Sequence, residues 1–421
     1  MPKYQHSVSL DIKKCKGCTH CMRRCTTEAI RIRDGHAVID SSRCIDCGEC
    51  IRTCPHDAKA ATYDLLSAID KSKYNIALPP PSLYGQFANL DDIDYLLQGL
   101  LDMGFDDVFE VAVAAEMYTE YTRKYLQRED VAKPVISSAC PVIVRLISLR
   151  FPMLADNLMP MLPPVELAGL LAKKRAMQRH PELKPEDIRT VFISPCPGKV
   201  SYIKNNTCGK SNVDVVVSMQ EAYFELISVM KRSYPEDPVS RTGMIGVNWA
   251  VSGGESTALL NENYLYADGI ENVNKVLDEI ENGQLPDLHF IELNACNGGC
   301  VGGVLTVENP YISRVKLQSI RRYLPVSQFR FPQGVSGDEI PEEFLGNTGA
   351  DAESVSNLST DKKTAMRMMS EIKEIFKTLP ELDCGSCGSP TCRAFAEDVV
   401  KGQASLDGCP VIKMRNGGGA K

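Results

Sequence analysis

HFIELNACNGGCVGGVL, residues His289–Leu305, places two cysteines, Cys296 and Cys300, on a glycine-studded loop directly after an apolar run. His289-Phe290-Ile291 with Leu293 reads as a short buried strand, so Cys296 arrives at its carboxyl end, where open α/β sheets carry their ligand sites. Gly298, Gly299, Gly302 and Gly303 lack a Cβ and allow the backbone to close tightly around something bulky. Two further cysteines have the same setting. Cys140 ends the β-branched run KPVISSAC, and Pro141 after it opens a helix whose amino end favours thiolate. Cys196 follows the apolar strand of RTVFISPC. Four thiolates from three strand ends form the ligand set of one cubane iron–sulfur cluster.

These loops, in this order, with Lys199 three residues after Cys196, resemble the catalytic domain of FeFe hydrogenases, and the resemblance runs from about residue 74 to about residue 323. It implies that Cys140, Cys196, Cys296 and Cys300 hold a cubane, and that Cys300 also bridges to a two-iron subsite carrying CO, cyanide and an azadithiolate. It implies further that Lys199 donates to one cyanide and that Pro81 and Ser82, in IALPPPSLYGQF, contact the other. The departures from the family pattern are specific. Ala139 stands where active members carry a proton-relay cysteine, and Ser194 and Asn294 replace two methionines, which predicts a more polar cofactor pocket. The positions matching the relay glutamates and serine are Thr122, Tyr125 and Met159. The usual proton wire is therefore absent from the sequence, and Glu166 and Glu255 are the candidate substitutes. For Glu255, in WAVSGGESTALL, a first-turn glutamate favoured by the helix dipole is an equally good reading.

The amino-terminal segment repeats a bacterial ferredoxin motif: Cys15, Cys18, Cys21, Cys25, then Cys44, Cys47, Cys50, Cys54. The usual cross-over assigns Cys15, Cys18, Cys21 and Cys54 to one cubane and Cys25, Cys44, Cys47 and Cys50 to the other. A zinc ribbon does not explain the doubled spacing. Residues 1–62 carry eleven Lys and Arg against seven Asp and Glu, a surplus assigned to balancing negatively charged clusters. At the other end, Cys384, Cys387, Cys392 and Cys409 resemble the iron–sulfur domain of corrinoid iron–sulfur proteins, which implies a fourth cubane, with zinc as the alternative. Only Cys208 of the 17 cysteines is left without a role.

The expected fold is an α/β catalytic domain with largely parallel sheets, an amino-terminal α+β ferredoxin-like domain and a small carboxyl-terminal iron–sulfur domain. The expected boundaries are 1–62, 63–330, a linker at 331–361 rich in Gly, Pro, Ser, Asp and Glu, and 362–421. Such a linker predicts a tethered terminal module off the obligatory electron path. The stretch TYDLLSAIDKSKY reads as a connecting helix, FDDVFEVAV as a strand, and Ser218 with Glu221 as a capping box. No apolar run approaches the roughly 18 residues of a membrane span, and MPKYQHSVSLDIKK lacks a signal core, so a cytoplasmic, reducing compartment is expected. The net charge of −7 disfavours nucleic acid. Three functional readings follow. The first is slow reversible H2 activation at a cubane–diiron centre, with H2 and protons as substrates and hydrogen sensing as the role. The second is a hydrogenase-like iron–sulfur assembly protein without the diiron subsite, and the third an electron-transfer subunit. The redox or signalling partner, and whether two copies of the chain pair, stay open.

Overall fold

The structure, a computed structural model, describes residues 4–207, 209–230, 237–331, 335–346, 358–359 and 361–417. Cys208 and parts of the expected linker lie outside the described residues. The chain divides into two compact units, residues 1–60 with 353–421, and residues 61–352.

The first unit contains β1 (Val8–Leu10), β2 (Ile30–Arg33), β3 (His36–Ile39) and β4 (Lys59–Ala61), with β1 beside β4 and β2 antiparallel to β3. It also contains the helix Lys362–Thr378, whose amino end is capped by Asp361 accepting from the amide of Thr364. Cys392–Val400 forms the helix that carries the third terminal cysteine.

The second unit is built on two parallel sheets. β5 (Tyr74–Leu78), β6 (Asp107–Val108), β8 (Ile188–Ser194) and β9 (Val215–Ser218) run in the order β6-β5-β8-β9. β7 (Val135–Ile136), β10 (Tyr264–Asp268) and β11 (Phe290–Asn294) run in the order β10-β11-β7. Apolar, β-branched strands buried on both faces are what a helix-covered parallel sheet requires: Ile76, Ala77, Leu78, Val191, Phe192 and Ile193 are all fully buried.

Several local expectations change. TYDLLSAIDKSKY holds only a 3₁₀ turn at Leu66–Ala68. FDDVFEVAV contributes two strand residues before Val111 opens the helix Val111–Tyr125, because the run continues into the helical spacing of EVAVAAEMYTEY. Ser218 does cap the helix Met219–Val229, but Glu221 reaches away to accept from the amide of Leu66, so no reciprocal box forms. Part of the supposed linker belongs to the core. Phe344 is buried, Phe331 and Ile340 pack with it, and Leu345 bridges to Met161, so aromatic anchors outweigh the loop-like composition of this stretch.

Glu110, at the head of the helix Val111–Tyr125, accepts from Arg241 N at 2.6 Å, Tyr84 Oη at 3.1 Å and Ser240 Oγ at 3.2 Å. Burial nevertheless pushes its carboxyl up to about 7 from an ordinary 4.5. A raised carboxyl pKa means that folding favours the protonated form. The contribution to stability is full below about pH 4.5 and is lost as pH rises through about 7, at most about 3 kcal/mol. Glu110→Gln should flatten this part of the stability profile. Urea midpoints at about pH 5 and about pH 8 check it, and equal pH slopes in both proteins would refute it.

Candidate iron–sulfur and cofactor site

Each described cysteine of the second unit sits where a parallel strand ends. Cys140 follows β7 and stands at the head of the helix Pro141–Arg150, and Cys196 follows β8 at the head of the helix Pro197–Lys204. Cys296 and Cys300 follow β11. The proline at the first helical position in the first two cases spares an amide that would otherwise lack a partner.

The glycines of the third loop serve loop-to-loop contact. A Cβ on Gly299, whose φ is +91°, would stand 2.5 Å from Ser252 N, and one on Gly303 would stand 2.2 Å from Pro195 O. The glycines thus bring the Cys300 loop against the segments 250–252 and 195; the expected tight wrap around a cofactor is not their main use.

Between the strand ends lies a cavity lined among others by Pro81, Ser82, Ala139, Cys140, Lys199, Glu255, Glu292, Asn294 and Cys300. Lys199 Nζ lies 3.7 Å from Cys300 Sγ. Burial alone would lower the pKa of this ammonium, but the charges of Cys300, Cys196, Cys140 and Cys296 outweigh it and the net shift is upward. Lys199 thus places a cation beside the four-cysteine site, in contact with Cys300.

Ser82 is fully buried, and its Oγ has no partner among the described residues. Gln86 holds this segment to the Cys300 loop: its Nε2 donates to Ser82 O, and its Oε1 accepts from the amides of Val307 and Glu308.

Ser194 faces away from the cavity. Its hydroxyl donates to Cys196 O at 2.8 Å and it is not among the residues lining the cavity, so it braces the cysteine turn and does not add the polarity expected of it. Asn294 does line the cavity, with Nδ2 donating to Glu292.

The two candidate acids separate. Glu166 does not line the cavity; its carboxylate accepts from Ser211 Oγ at 2.6 Å and Asn212 N at 2.7 Å, which ties its helix to the loop before β9. Burial raises its pKa. Glu255 does line the cavity. Its Oε2 accepts from Ser137 Oγ at 2.7 Å, and its buried Oε1 has no partner among the described residues.

Glu292 is the residue the sequence reading missed. It accepts from Gly253 N, Ser256 N and Asn294 Nδ2, three donors that favour its ionised form, although burial raises its pKa overall. Burial and the neighbouring Glu292 push Glu255 well above the ordinary carboxyl range. The pair reads as one acid, Glu255, and one carboxylate, Glu292. The available signal was a glutamate in the middle of the apolar run FIELN.

The usual relay positions offer nothing. Thr122 donates to Tyr118 O, Met159 is buried in the core, and Tyr125 is packed at its edge.

The remaining cysteines enclose three smaller cavities. One is lined by Cys15, Cys18, Cys21 and Cys54, and one by Cys25, Cys44, Cys47 and Cys50, the crossed-over sets. The third is lined by Cys384, Cys387, Cys392 and Cys409.

Among the described residues no three Cys, His, Asp or Glu side chains converge on a point where a single ion would sit. Cysteines that surround a cavity suit a cubane and not the tight tetrahedron of zinc. Lys59 supports the same fit: its buried Nζ has no partner among the described residues, yet its charge acts on both Cys21 and Cys50. Two thiolate-ligated clusters beside it would supply the missing negative charge.

Comparison with known families now decides the affiliation. The model of the iron-only hydrogenase large subunit, C-terminal domain, matches residues 73–264 and 255–304, more than half of the chain. The chain belongs to the iron-only hydrogenase family. A 4Fe-4S dicluster domain matches residues 7–55, and a putative Fe-S cluster domain matches 379–411.

Among relatives, the periplasmic [Fe] hydrogenase large subunit of Nitratidesulfovibrio vulgaris is 24% identical over 369 residues, 72% of this chain and 86% of that protein. The nuclear prelamin A recognition factor of Homo sapiens is 24% identical over 267 residues, covering 50% and 58%. The corrinoid/iron-sulfur protein large subunit of Moorella thermoacetica is 56% identical over 39 residues, 9% of each chain. The chain thus spans most of the first of these and much less of the other two. This iron-only hydrogenase family member has, among its described residues, no helix long and apolar enough to cross a membrane.

Proposed function

We propose that this chain activates H2 reversibly and slowly, as a hydrogen or redox sensor, at a cubane held by Cys140, Cys196, Cys296 and Cys300. A two-iron group with CO, cyanide and azadithiolate ligands would occupy the adjoining cavity. The observation that carries the reading is that cavity: it adjoins Cys300 with the Lys199 ammonium beside it, and it is lined by Ser82 and Glu255, whose buried Oγ and Oε1 have no partner among the described residues.

When bound, the two-iron group supplies the metal chemistry by which H2 becomes two protons and two electrons. The chain's own residues do the rest. Cys300 would anchor the group, and the Lys199 ammonium and the Ser82 hydroxyl, which line the same cavity, would donate to its ligands. Glu255, which burial keeps protonated, can hand a proton across the cavity wall or receive one after losing its own. Ala139 brings no thiol to the cavity, and this favours low turnover, which suits a sensor better than a bulk catalyst. The cubanes of the first unit carry electrons, and a reducing compartment suits sixteen cysteines that are free of disulfides.

Infrared spectra after maturation test the reading. Sharp bands from metal-bound CO and cyanide are expected. A blank spectrum in protein fully loaded with cubanes would replace the reading with that of a related protein holding clusters alone.

A further inference from the structure

The terminal cysteine module is built onto the ferredoxin segment. Ile32 N donates to Gly388 O at 2.8 Å, while the Ile32 side chain lines the cavity of Cys15, Cys18, Cys21 and Cys54. Arg23 Nη2 donates to Cys384 O at 2.6 Å. Met22, fully buried and next to Cys21, lies so close to Gly385 that a Cβ there would stand 2.9 Å from the Met22 methyl. Behind this contact Arg31 Nε and Arg33 Nη2 each reach the buried Asp398 Oδ2 at 2.7 Å, and Arg43 pairs with Glu397. Four cations of the first segment therefore engage the terminal module, and three of them, Arg31, Arg33 and Arg43, pair with its carboxylates instead of balancing cluster charge as the composition implied. The picture of a tethered module does not hold here, because buried, converging ion pairs fix geometry in a way that exposed ones do not.

Gly388 shows how close the approach is. Its φ is +80°, and a Cβ would stand 2.3 Å from Ile32 O, so only glycine lets the loop between Cys387 and Cys392 lie on β2. Met22 adds a soft, polarisable thioether between the two cysteine sites.

We propose that the site of Cys384, Cys387, Cys392 and Cys409 exchanges electrons with the site of Cys15, Cys18, Cys21 and Cys54 across the Met22–Gly385 and Ile32–Gly388 contacts. The terminal module is then a fixed member of a three-cluster chain. One electron leaves the reduced cubane at one site, which returns to its oxidised level, and enters the oxidised cubane at the other; no bond is made or broken. The proposal rests on cubane loading alone and stands whether or not the cavity of the second unit takes a two-iron group.

The test uses the full chain loaded with cubanes but not matured. After full reduction, low-temperature EPR of the native protein should show signals split and broadened by spin coupling to the terminal cluster. Cys387→Ala, which removes that cluster, should simplify the ferredoxin signals. Gly388→Ala leaves every cysteine in place and should abolish the coupling while keeping the iron content. If Gly388→Ala loses iron, the double variant Arg31→Gln/Arg33→Gln takes its place with the same expectation. Partial reduction followed by rapid freezing provides the second readout: electrons should redistribute between terminal and ferredoxin signals within the mixing time in native protein, and more slowly in the undocked variant. A native spectrum that is the plain sum of independent clusters, or a redistribution rate that undocking leaves unchanged, would overturn the proposal.

Discussion

Glu255→Gln should lower both H2 oxidation and H2 evolution by roughly 10²–10⁴-fold, the usual range for losing a positioned proton-transfer group. The reason lies in the asymmetry of the buried pair. Among the described residues Glu292 is held by three donors, whereas Glu255 has one, Ser137, and a second oxygen without a partner in the cavity wall. Glutamine keeps the shape and the Ser137 contact but cannot lose and regain a proton at neutral pH. Glu255→Asp should recover part of the rate with an altered pH profile, whereas a purely structural role would be met as well by glutamine. Ala139→Cys alone should give only a modest gain, because the positions beyond it end in the buried Met159 and in Thr122, whose hydroxyl is committed to Tyr118 O. The measurement is turnover in matured protein with the infrared bands intact. A jump of several orders of magnitude from Ala139→Cys, with Glu255→Gln near native, would show that protons leave by the Ala139 side.

Glu116→Ala should destabilise the second unit by about 3–5 kcal/mol, the cost of leaving a buried polar network without its acceptor. Glu116 is almost fully buried on the helix Val111–Tyr125. Its Oε1 accepts from the amides of Gly243 and Gly246, and its Oε2 accepts from Ser327 Oγ and the amides of Gln328 and Phe329. One carboxylate therefore clamps three segments. The clamp also positions the cavity wall, since Ala115 precedes it and Trp249, whose Nε1 donates to Thr119 Oγ1, follows the clamped turn. The thermal midpoint of this unit should fall by on the order of 10 °C, with cubane retention at Cys140 and Cys196 weakened in parallel. A midpoint within a degree or so of native would show that other donors and water take over the role of the carboxylate.

The cysteine spacings and the strand-then-cysteine pattern were enough to pick out the cysteines that the fold brings together around shared cavities, because ligand spacing and strand periodicity are local properties of a chain. Cys140, Cys196, Cys296 and Cys300 each lie within a few residues of the strand that delivers them, so their convergence follows once the strands are recognised as parallel. Lys199 came with them, being fixed three residues after Cys196 by one helical turn. What the sequence could not decide depends on distant partners. Glu166 and Glu255 are alike as letters, each near the start of a helix; only the fold sends one to Ser211 and Asn212 and leaves the other with an oxygen facing the cavity. Glu292 was hidden in an apolar strand because two of its three donors, Gly253 N and Ser256 N, come from a segment some forty residues earlier. The stretch after Phe331 has the composition of a linker, yet Phe344 buries itself in the core. The pairing of Arg31 and Arg33 with Asp398 joins residues more than 360 positions apart. Composition showed the surplus charge of the first segment, and only the tertiary structure decided where that charge is neutralised, because an ion pair between distant residues has no periodicity to read.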